Sequence, residues 1–175
     1  MFCYEGICLR VVEEADIERI RQLRNDPSTW IYLTDITLLD EGTQRSWYRS
    51  LSERRDRKYF VLGDSQHNFL GIIRFDEIDY TNRSMRVGCD IVREWRGQGY
   101  GSKAFLLIKK YCFDYLNMHR LWLAVLETNL VAIHLYEKHG FKVEGRYREA
   151  IFRDGCYHDY IIMSFLEEEY RNVRL

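Results

Sequence analysis

The rest of the chain is organised around the stretch Asp90-Ile91-Val92-Arg93-Glu94-Trp95-Arg96-Gly97-Gln98-Gly99-Tyr100-Gly101-Ser102. The apolar run Met85 to Val92 predicts a strand, and the pattern Lys103 to Leu116 that follows the glycines predicts a helix. Three glycines in alternate positions leave the backbone bare where a ligand must approach closely. Because the first N–H groups of a helix lack intrahelical partners, this turn is a candidate cradle for a phosphate or pyrophosphate, with Ser102 as the expected N-cap.

Two other phosphate-binding loops do not fit this stretch. A P-loop needs a lysine in the frame of its last glycine, and none stands there. A dinucleotide fingerprint has the spacing Gly-x-Gly-x-x-Gly near the start of a βαβ unit, whereas the spacing here is Gly-x-Gly-x-Gly and lies past the middle of the chain. Taken alone, the stretch is equally compatible with an ordinary glycine-rich turn.

A resemblance to a known family rests on two motifs. The hexapeptide Arg96-Gly97-Gln98-Gly99-Tyr100-Gly101 resembles the Arg/Gln-x-x-Gly-x-Gly/Ala signature of the GNAT N-acetyltransferases, in which this loop holds the pyrophosphate of coenzyme A. The downstream segment Asn129 to Phe141 matches the family pattern Asn-x-x-Ala-x-x-x-Tyr-x-x-x-Gly-Phe. The resemblance covers roughly the whole chain and is weakest between Arg24 and Tyr59.

The resemblance implies an α/β fold with a single domain over residues 1–175. It also implies a mixed central sheet of about seven strands with flanking helices, in which two strands splay apart at the acetyl-CoA site. Those two strands would be Ser84 to Val92 and Leu121 to Leu126. The pattern along the chain fits this order, with helices expected at Glu14 to Leu23, after a cap at Asp40 or Thr43, and at Leu130 to Lys138, and with a closing hairpin from Phe141 to Phe165.

Composition narrows the class of protein. The formal net charge of −1 provides no general attraction to nucleic acid or to an anionic membrane. No apolar run approaches the roughly 20 residues that span a bilayer, and the first residues lack the pattern of a signal peptide. The five cysteines are scattered and odd in number, so we expect reduced thiols, a cytoplasmic location and no metal site.

The coenzyme site follows from the resemblance. The N–H groups around Ile91 and Val92 are expected to face the pantetheine arm and the acetyl carbonyl, as oxyanion-type donors. Asn129 is an N-cap by propensity and is expected to touch the arm as well. The pyrophosphate loop itself comprises Arg96, Gly97, Gln98, Gly99, Tyr100, Gly101 and Ser102.

Two residues are the candidates for proton transfer. Tyr136 matches the family tyrosine that protonates the departing thiolate, and a phenol is fully protonated at neutral pH. Asp90 lies on the strand beside the acetyl site and is the first candidate to take the proton of the amine, with Glu77 or Asp79 acting through water as alternatives. Residues of these types are more often core tyrosines and surface carboxylates, so the roles rest on the resemblance.

The acceptor pocket is expected from the weakest-matching region. Its candidates are Trp30, Tyr32, Asp35, Trp47 and Glu77, with the closing hairpin from Phe152 to Tyr160 as the opposite wall. Aromatic rings there suit a sugar or a nucleobase, and carboxylates suit a cationic amine. The same aromatic residues are also compatible with a hydrophobic cluster that anchors a loop.

The predicted function is therefore acetyl-CoA-dependent N-acetyl transfer to a primary amine of a small molecule. The motif Arg24-Asn25-Asp26-Pro27 with Trp47-Tyr48 and Tyr59-Phe60-Val61 looks most like enzymes that acetylate a nucleotide-linked amino sugar. Polyamine and ribosomal-protein N-acetyltransferases are the alternatives within the family, and a non-catalytic acyl-CoA-binding protein or a nucleotide-binding module lies outside it. A homodimer formed through an edge strand or through the tail Glu167 to Leu175 is also expected.

Overall fold

A computed structural model describes residues 1–172 and shows one mixed sheet of eight strands. The strands are β1 (Phe2–Tyr4), β2 (Ile7–Val11), β3 (Lys58–Asp64), β4 (Phe69–Asp79), β5 (Ser84–Ile91), β6 (Arg120–Leu126), β7 (Lys142–Arg153) and β8 (Cys156–Leu166). The helices are α1 (Ile17–Asn25), α2 (Pro27–Trp30), α3 (Glu41–Ser50), α4 (Tyr100–Lys110), α5 (Leu130–Lys138) and α6 (Glu167–Asn172). The order across the sheet is β1-β2-β3-β4-β5-β6-β8-β7. The α/β fold with a mixed sheet is therefore confirmed, with β1 as an additional short strand.

The predicted splay lies in the middle of this sheet. β5 and β6 are parallel and pair only where Ser84–Arg86 meets Arg120–Trp122. β5 nevertheless continues along β4 as far as the pair Gly71 and Ile91, and β6 continues along β8 as far as Leu126. Each strand therefore keeps its outer neighbour while the two inner edges separate, and a wedge-shaped gap opens towards the loop after β5.

The two faces of the sheet are covered differently. α4 buries its apolar stripe, including Phe105 and Ile108, on the face that carries Phe75, Val87 and Leu123. On the opposite face a smaller cluster joins Ile20 and Leu23 of α1 to Val61, Phe69 and Ile72, with Trp47 of α3 packed against it. The main cavity lies where β5 and β6 separate and is bordered by residues of both faces.

Helix ends follow the local chemistry of the sequence, with one exception. The side chain of Asp40 accepts a hydrogen bond from the N–H of Thr43, so Asp40 is the cap of α3. Gly140 has a φ of +82° directly after α5, as expected for a C-terminal glycine. The exception is α4, which begins at Tyr100 with left-handed Gly99 as its N-cap. Ser102 lies inside the first turn, so its prediction as the N-cap is wrong.

One expectation about the cysteines is also wrong. Cys3 and Cys8 stand opposite each other in the β1–β2 hairpin with their Cα atoms 4.0 Å apart, and they form a disulfide. The expectation of reduced thiols considered only spacing along the chain, and it missed β1, which brings the two residues together. Cys89, Cys112 and Cys156 are free thiols.

Two further expectations concern membranes and the chain end. Within residues 1–172 there is no helix whose length and apolar character would let it cross a bilayer. Of the tail that was considered as a dimer contact, Glu167–Asn172 forms α6. Its last three residues lie outside the described part of the chain.

Candidate active site

A cavity of about 810 Å³ occupies the gap between β5 and β6 and extends from the glycine loop to the segment after α2. This size is typical of a small-molecule site. The cavity is lined by the glycine loop, by residues on β5 and on α5, and by Tyr32, Leu33 and Thr34. The coenzyme side and the acceptor side that the sequence predicted therefore belong to one continuous space.

The glycine loop fits a bound pyrophosphate. Gly97 and Gly99 have φ values of +74° and +83°, and a Cβ atom on either would meet nothing within 4 Å. The first backbone bond of α4 runs from the N–H of Lys103 to the carbonyl of Gly99. The N–H groups of the preceding helical turn are therefore free to donate to an anion at the positive end of the helix dipole.

The other predicted loop residues have distinct positions. Gln98 donates from Nε2 to the carbonyl of Glu94 at 2.8 Å, and the ring of Tyr100 packs edge-on against Trp95. Both side chains thus hold the shape of the loop. Gly101 packs closely, because a Cβ there would lie 3.2 Å from Leu135 Cδ2 on α5.

Ser102 has a buried partner that the sequence did not reveal. Its Oγ lies 2.7 Å from Nε2 of His139, which follows α5 and is 7% exposed. Burial, together with the positive charges of Lys109 and Lys138, lowers the pKa of His139 to about 4. A neutral imidazole at physiological pH therefore links the first turn of α4 to the end of α5.

Arg96 connects the coenzyme loop to the acceptor side. Its Nε donates to the carbonyl of Ile91 at 2.8 Å, and its Nη1 donates to the carbonyl and the hydroxyl of Ser28 at 3.1 and 2.8 Å. Its Nη2 donates to the hydroxyl of the buried Thr29 at 2.5 Å. The guanidinium thus fastens α2 to the end of β5, a role that the motif alone did not indicate.

One of the two residues whose backbone N–H groups point into the gap differs from the prediction. The N–H of Val92 donates to the carbonyl of Leu70 at 3.0 Å, so it faces β4, and the expectation that it faces the coenzyme arm is wrong. In an antiparallel ladder the direction of the N–H groups alternates. Ile91, which stands opposite Gly71, and Cys89, which stands opposite Ile73, therefore direct their N–H groups into the gap. Cys89 was not among the predicted residues.

Tyr136 lies on the other side of the gap. It lines the cavity from α5, and its ring packs edge-on against Phe105 at a centroid distance of 5.1 Å. Burial, reinforced by the negative charge of Asp90, raises the pKa of the phenol well above its usual value. The hydroxyl therefore keeps its proton at neutral pH. Asn129 lines the same cavity and caps α5 by accepting from the N–H of Ala132 at 3.2 Å.

Asp90 has a basic partner that the sequence analysis missed. Its Oδ2 lies 3.2 Å from Nε of Arg74, which points from β4 to the same face of the sheet. The charge of Asp90 raises the pKa of Arg74 despite burial, so the guanidinium stays protonated. A charged residue in the otherwise apolar run Phe69 to Phe75 was the signal that could have revealed this pair.

The predicted acceptor residues do not all face the cavity. Tyr32 lines it. Trp30 donates its indole N–H to the carbonyl of Ile36, and Asp35 caps the N–H of Thr37, so both stabilise the irregular segment itself. Trp47, which is on α3, packs edge-on against Tyr59 of β3. The contacts of Trp30, Asp35 and Trp47 therefore agree with the alternative that these residues anchor a loop.

The closing hairpin supplies the opposite wall through residues that were not singled out. The hydroxyl of Tyr160 lies 2.8 Å from Oγ1 of Thr34, and both residues line the cavity. Arg153 is 8% exposed and donates to the carbonyls of Ile31, Leu33 and Thr34. Three residues of the irregular segment are thus held against the hairpin by one buried arginine.

Comparisons with known proteins agree with this geometry. The family profile described as the acetyltransferase (GNAT) domain matches residues 7–142. The chain is 31% identical to the spermidine N(1)-acetyltransferase of Vibrio cholerae, over 95% of this chain and 96% of that protein. It is 24% identical to the putative ribosomal N-acetyltransferase YdaF of Bacillus subtilis, over 97% and 96% of the two chains.

A solved structure shows the same fold. The spermidine N-acetyltransferase of Vibrio cholerae in complex with CoA and spermine superposes with a TM-score of 0.92 at 30% identity, covering 97% of this chain and 100% of that chain. The family profile spans more than half of the chain and includes the glycine loop and Tyr136. The chain therefore belongs to the GNAT acetyltransferase family and is an N-acetyltransferase.

Proposed function

We propose that this protein transfers an acetyl group from acetyl-CoA to a primary amine of a small molecule, in the gap between β5 and β6. The observation that carries the proposal is that the open glycine loop, the inward N–H groups of Ile91 and Cys89, and the phenol of Tyr136 all border one cavity. Acetyl-CoA supplies the thioester when it is bound. The glycine loop and the first turn of α4 hold its pyrophosphate.

The residues of the gap supply what the reaction needs. The bond between the amine nitrogen and the acetyl carbon forms while the bond from that carbon to sulfur breaks. The N–H groups of Ile91 and Cys89 stabilise charge on the carbonyl oxygen. Tyr136 gives the proton on its Oη to the departing sulfur. Burial raises the pKa of this phenol, so the proton is still present when the sulfur departs.

Asp90 is proposed to receive the proton of the amine, directly or through a water molecule. An alkylamine is mostly protonated at neutral pH, so a proton must leave before the nitrogen can attack. The carboxylate lines the cavity, and Arg74 fixes its orientation from below. Glu77 is less suited to this role, because its side chain is exposed and already pairs with Arg86 at 3.5 Å.

Two acceptor classes are supported by different observations. The similarity to spermidine N(1)-acetyltransferases over nearly the whole chain favours a polyamine such as spermidine, more than it favours a nucleotide-linked amino sugar. The acceptor side of the cavity, however, carries the guanidinium of Arg86 next to the ion pair of Arg74 with Asp90, and this guanidinium is better suited to an acceptor with an anionic group.

Thiol release from acetyl-CoA with a panel of amines tests the proposal. The panel contains spermidine, a peptide with a free N-terminus and a nucleotide-linked amino sugar, each with a control lacking the amine. Turnover with one class supports N-acetyl transfer and identifies the acceptor. Binding of acetyl-CoA without turnover on any amine contradicts the proposal and favours a non-catalytic acyl-CoA-binding protein.

A further inference from the structure

The floor of the acceptor side is formed by charged side chains on one face of β4 and β5. Asp76 stands opposite Arg86, and Arg74 stands opposite Gly88, so these side chains share the face on which Asp90 lies. The carboxylate of Asp90 pairs with Arg74 at 3.2 Å, and that of Asp76 accepts from the hydroxyl of Tyr59 at 3.2 Å. Asp76 also lies 3.9 Å from Nε of Arg57. Both floor carboxylates thus already have partners inside the protein.

Arg86 is held less firmly than Arg74. Its ion-pair partner is Glu77, whose side chain is 58% exposed and lies 3.5 Å away. A pair with so exposed a carboxylate is weak and is readily replaced by a better-placed anion. Arg86 itself lines the cavity and is 27% exposed, so a ligand in the cavity reaches it.

The indole of Trp122 gives this guanidinium a defined orientation. The Cζ of Arg86 lies 5.6 Å from the centre of the Trp122 ring, and the two residues stand opposite each other in the last pair before β5 and β6 separate. A guanidinium stacked on an aromatic ring keeps its N–H groups at the edges free for hydrogen bonds. Those groups form a fork that matches a carboxylate or a phosphate.

The distance between Arg86 and the acetyl site limits the shape of the acceptor. Arg86 and Asp90 lie on the same face of β5 and are four residues apart. At about 3.3 Å per residue, their Cα atoms are about 13 Å apart. The amine and the carboxylate of an α-amino acid share one carbon and are too close to reach both positions. An acceptor that reaches both must carry its amine and its anionic group at opposite ends.

We propose that Arg86, held on Trp122, binds an anionic phosphoryl group at the far end of the acceptor while the amine lies beside Asp90. This inference rests on the proposed N-acetyl transfer and selects an acceptor class within it. The far end of a polycationic acceptor would place a positive charge next to Arg86, and the two charges would repel each other. The acceptor is therefore an elongated amine with a terminal or internal phosphate.

A matched pair of acceptors tests the phosphoryl site. Aminohexyl phosphate and aminohexanol present the same amine on the same chain and differ only in the phosphate. We expect the wild-type protein to acetylate the phosphate with a kcat/KM about tenfold or more above that for the alcohol, since a charge-assisted fork contributes at least that much. We expect spermidine to be used less well than the phosphate.

Two variants connect the preference to Arg86. Arg86→Gln should abolish the preference for aminohexyl phosphate over aminohexanol. We expect kcat/KM for aminohexyl phosphate to fall at least about tenfold more than kcat/KM for aminohexanol. Glu77→Gln is the matched control, and it should raise the preference because it removes the competing carboxylate. Equal use of the two acceptors by the wild type, or an equal loss for both in Arg86→Gln, would overturn the inference.

A binding measurement separates this inference from the proposed function. If no amine is acetylated although coenzyme A binds, the proposed transfer fails. Calorimetry with aminohexyl phosphate on the protein saturated with coenzyme A then decides the site. Binding that is lost in Arg86→Gln supports the phosphoryl site, and binding of equal strength in both proteins, or none in the wild type, contradicts it.

Discussion

The hydroxyl of Tyr136 is the side-chain group on which the proposed chemistry depends most. It lines the gap where the two strands separate, and its half-buried ring packs against Phe105 and Phe141. Burial keeps the phenol protonated, which is the state that an acid requires, and packing keeps its position fixed. The same contacts show that the ring also contributes to the core.

Replacing this hydroxyl separates the two roles. We expect Tyr136→Phe to lower kcat about 100-fold, in the range of general acid catalysis, and to leave the dissociation constant of acetyl-CoA within about twofold of the wild-type value. Initial rates of thiol release and calorimetry measure the two quantities. Tyr147→Phe is the control, because Tyr147 is 60% exposed on β7. Full activity of Tyr136→Phe would show that Tyr136 only packs.

His139 gives a pH dependence to stability. Its pKa is about 4 in the folded protein, against an ordinary value of 6.5. Between these values the unfolded chain binds more protons than the folded one, so stability is lost as the pH falls from 6.5 towards 4. From pH 7 to pH 5 we expect His139 to account for a loss of about 2 kcal/mol in the free energy of unfolding.

Denaturant unfolding at the two pH values measures this loss. His139→Asn should show a smaller decrease than the wild type, because the titrating group is gone. His134→Asn is the control, since His134 is exposed on α5. Identical decreases in the wild type and in His139→Asn would contradict the assigned shift.

Single residues were predicted from the sequence with uneven success, for physical reasons. Asn129 and Tyr136 belong to a contiguous motif, and both line the cavity. Arg153 could not be identified, because its partners lie in a segment distant along the chain. Arg74 was overlooked, although its charge interrupts the apolar run Phe69 to Phe75. Val92 was misassigned because the direction of a backbone N–H depends on the register with β4, which the sequence does not contain.

At the scale of elements, the gap depends on how closely β4 follows β5. A Cβ added at Gly71 would lie 2.0 Å from the carbonyl oxygen of Asp90. The absence of a side chain there lets β5 keep its pairing with β4 up to Ile91 while it separates from β6. The glycine behind the acetyl site is therefore part of what forms the gap.

Gly71→Ala tests this close approach. The backbone must shift to relieve the contact, and we expect a loss of about 3 kcal/mol in the free energy of unfolding, at the upper end for overpacking. Gly145→Ala in β7 is the control, since a Cβ there meets nothing within 4 Å. Denaturant unfolding compares the two variants. Equal stability of Gly71→Ala and Gly145→Ala would contradict the close approach of β4 and β5.

Elements were easier to predict than their junctions. The strand before the glycine loop and helix α5 have strong local patterns and were predicted nearly to their ends. The start of α4 was misplaced because Gly99 caps the helix through a left-handed backbone rather than through a side chain. The segment after α2 is irregular, as expected, and Arg153 from the closing hairpin holds it in place, while Arg96 holds α2 itself.

In the whole molecule, the proposed coenzyme and acceptor sites lie on opposite sides of one gap in the sheet. The glycine loop at the end of β5 serves the proposed coenzyme side, and the charged floor around Arg74 and Arg86 serves the acceptor side. Arg96 contacts both, because it joins Ile91 to Ser28 and Thr29. The family resemblance predicted this arrangement. It did not predict the charged side chains around Arg74 and Arg86, because their common face depends on the register between β4 and β5.

The stoichiometry of acetyl transfer with the best acceptor of the panel tests whether the protein joins the acetyl group to an amine. Thiol released from acetyl-CoA and N-acetylated product, detected by mass spectrometry, are measured in the same reaction. We expect one acetylated amine for each thiol released, and both signals should fall together in Tyr136→Phe. Thiol release without acetylated amine, or no release with any amine despite bound coenzyme, would contradict the proposed transfer.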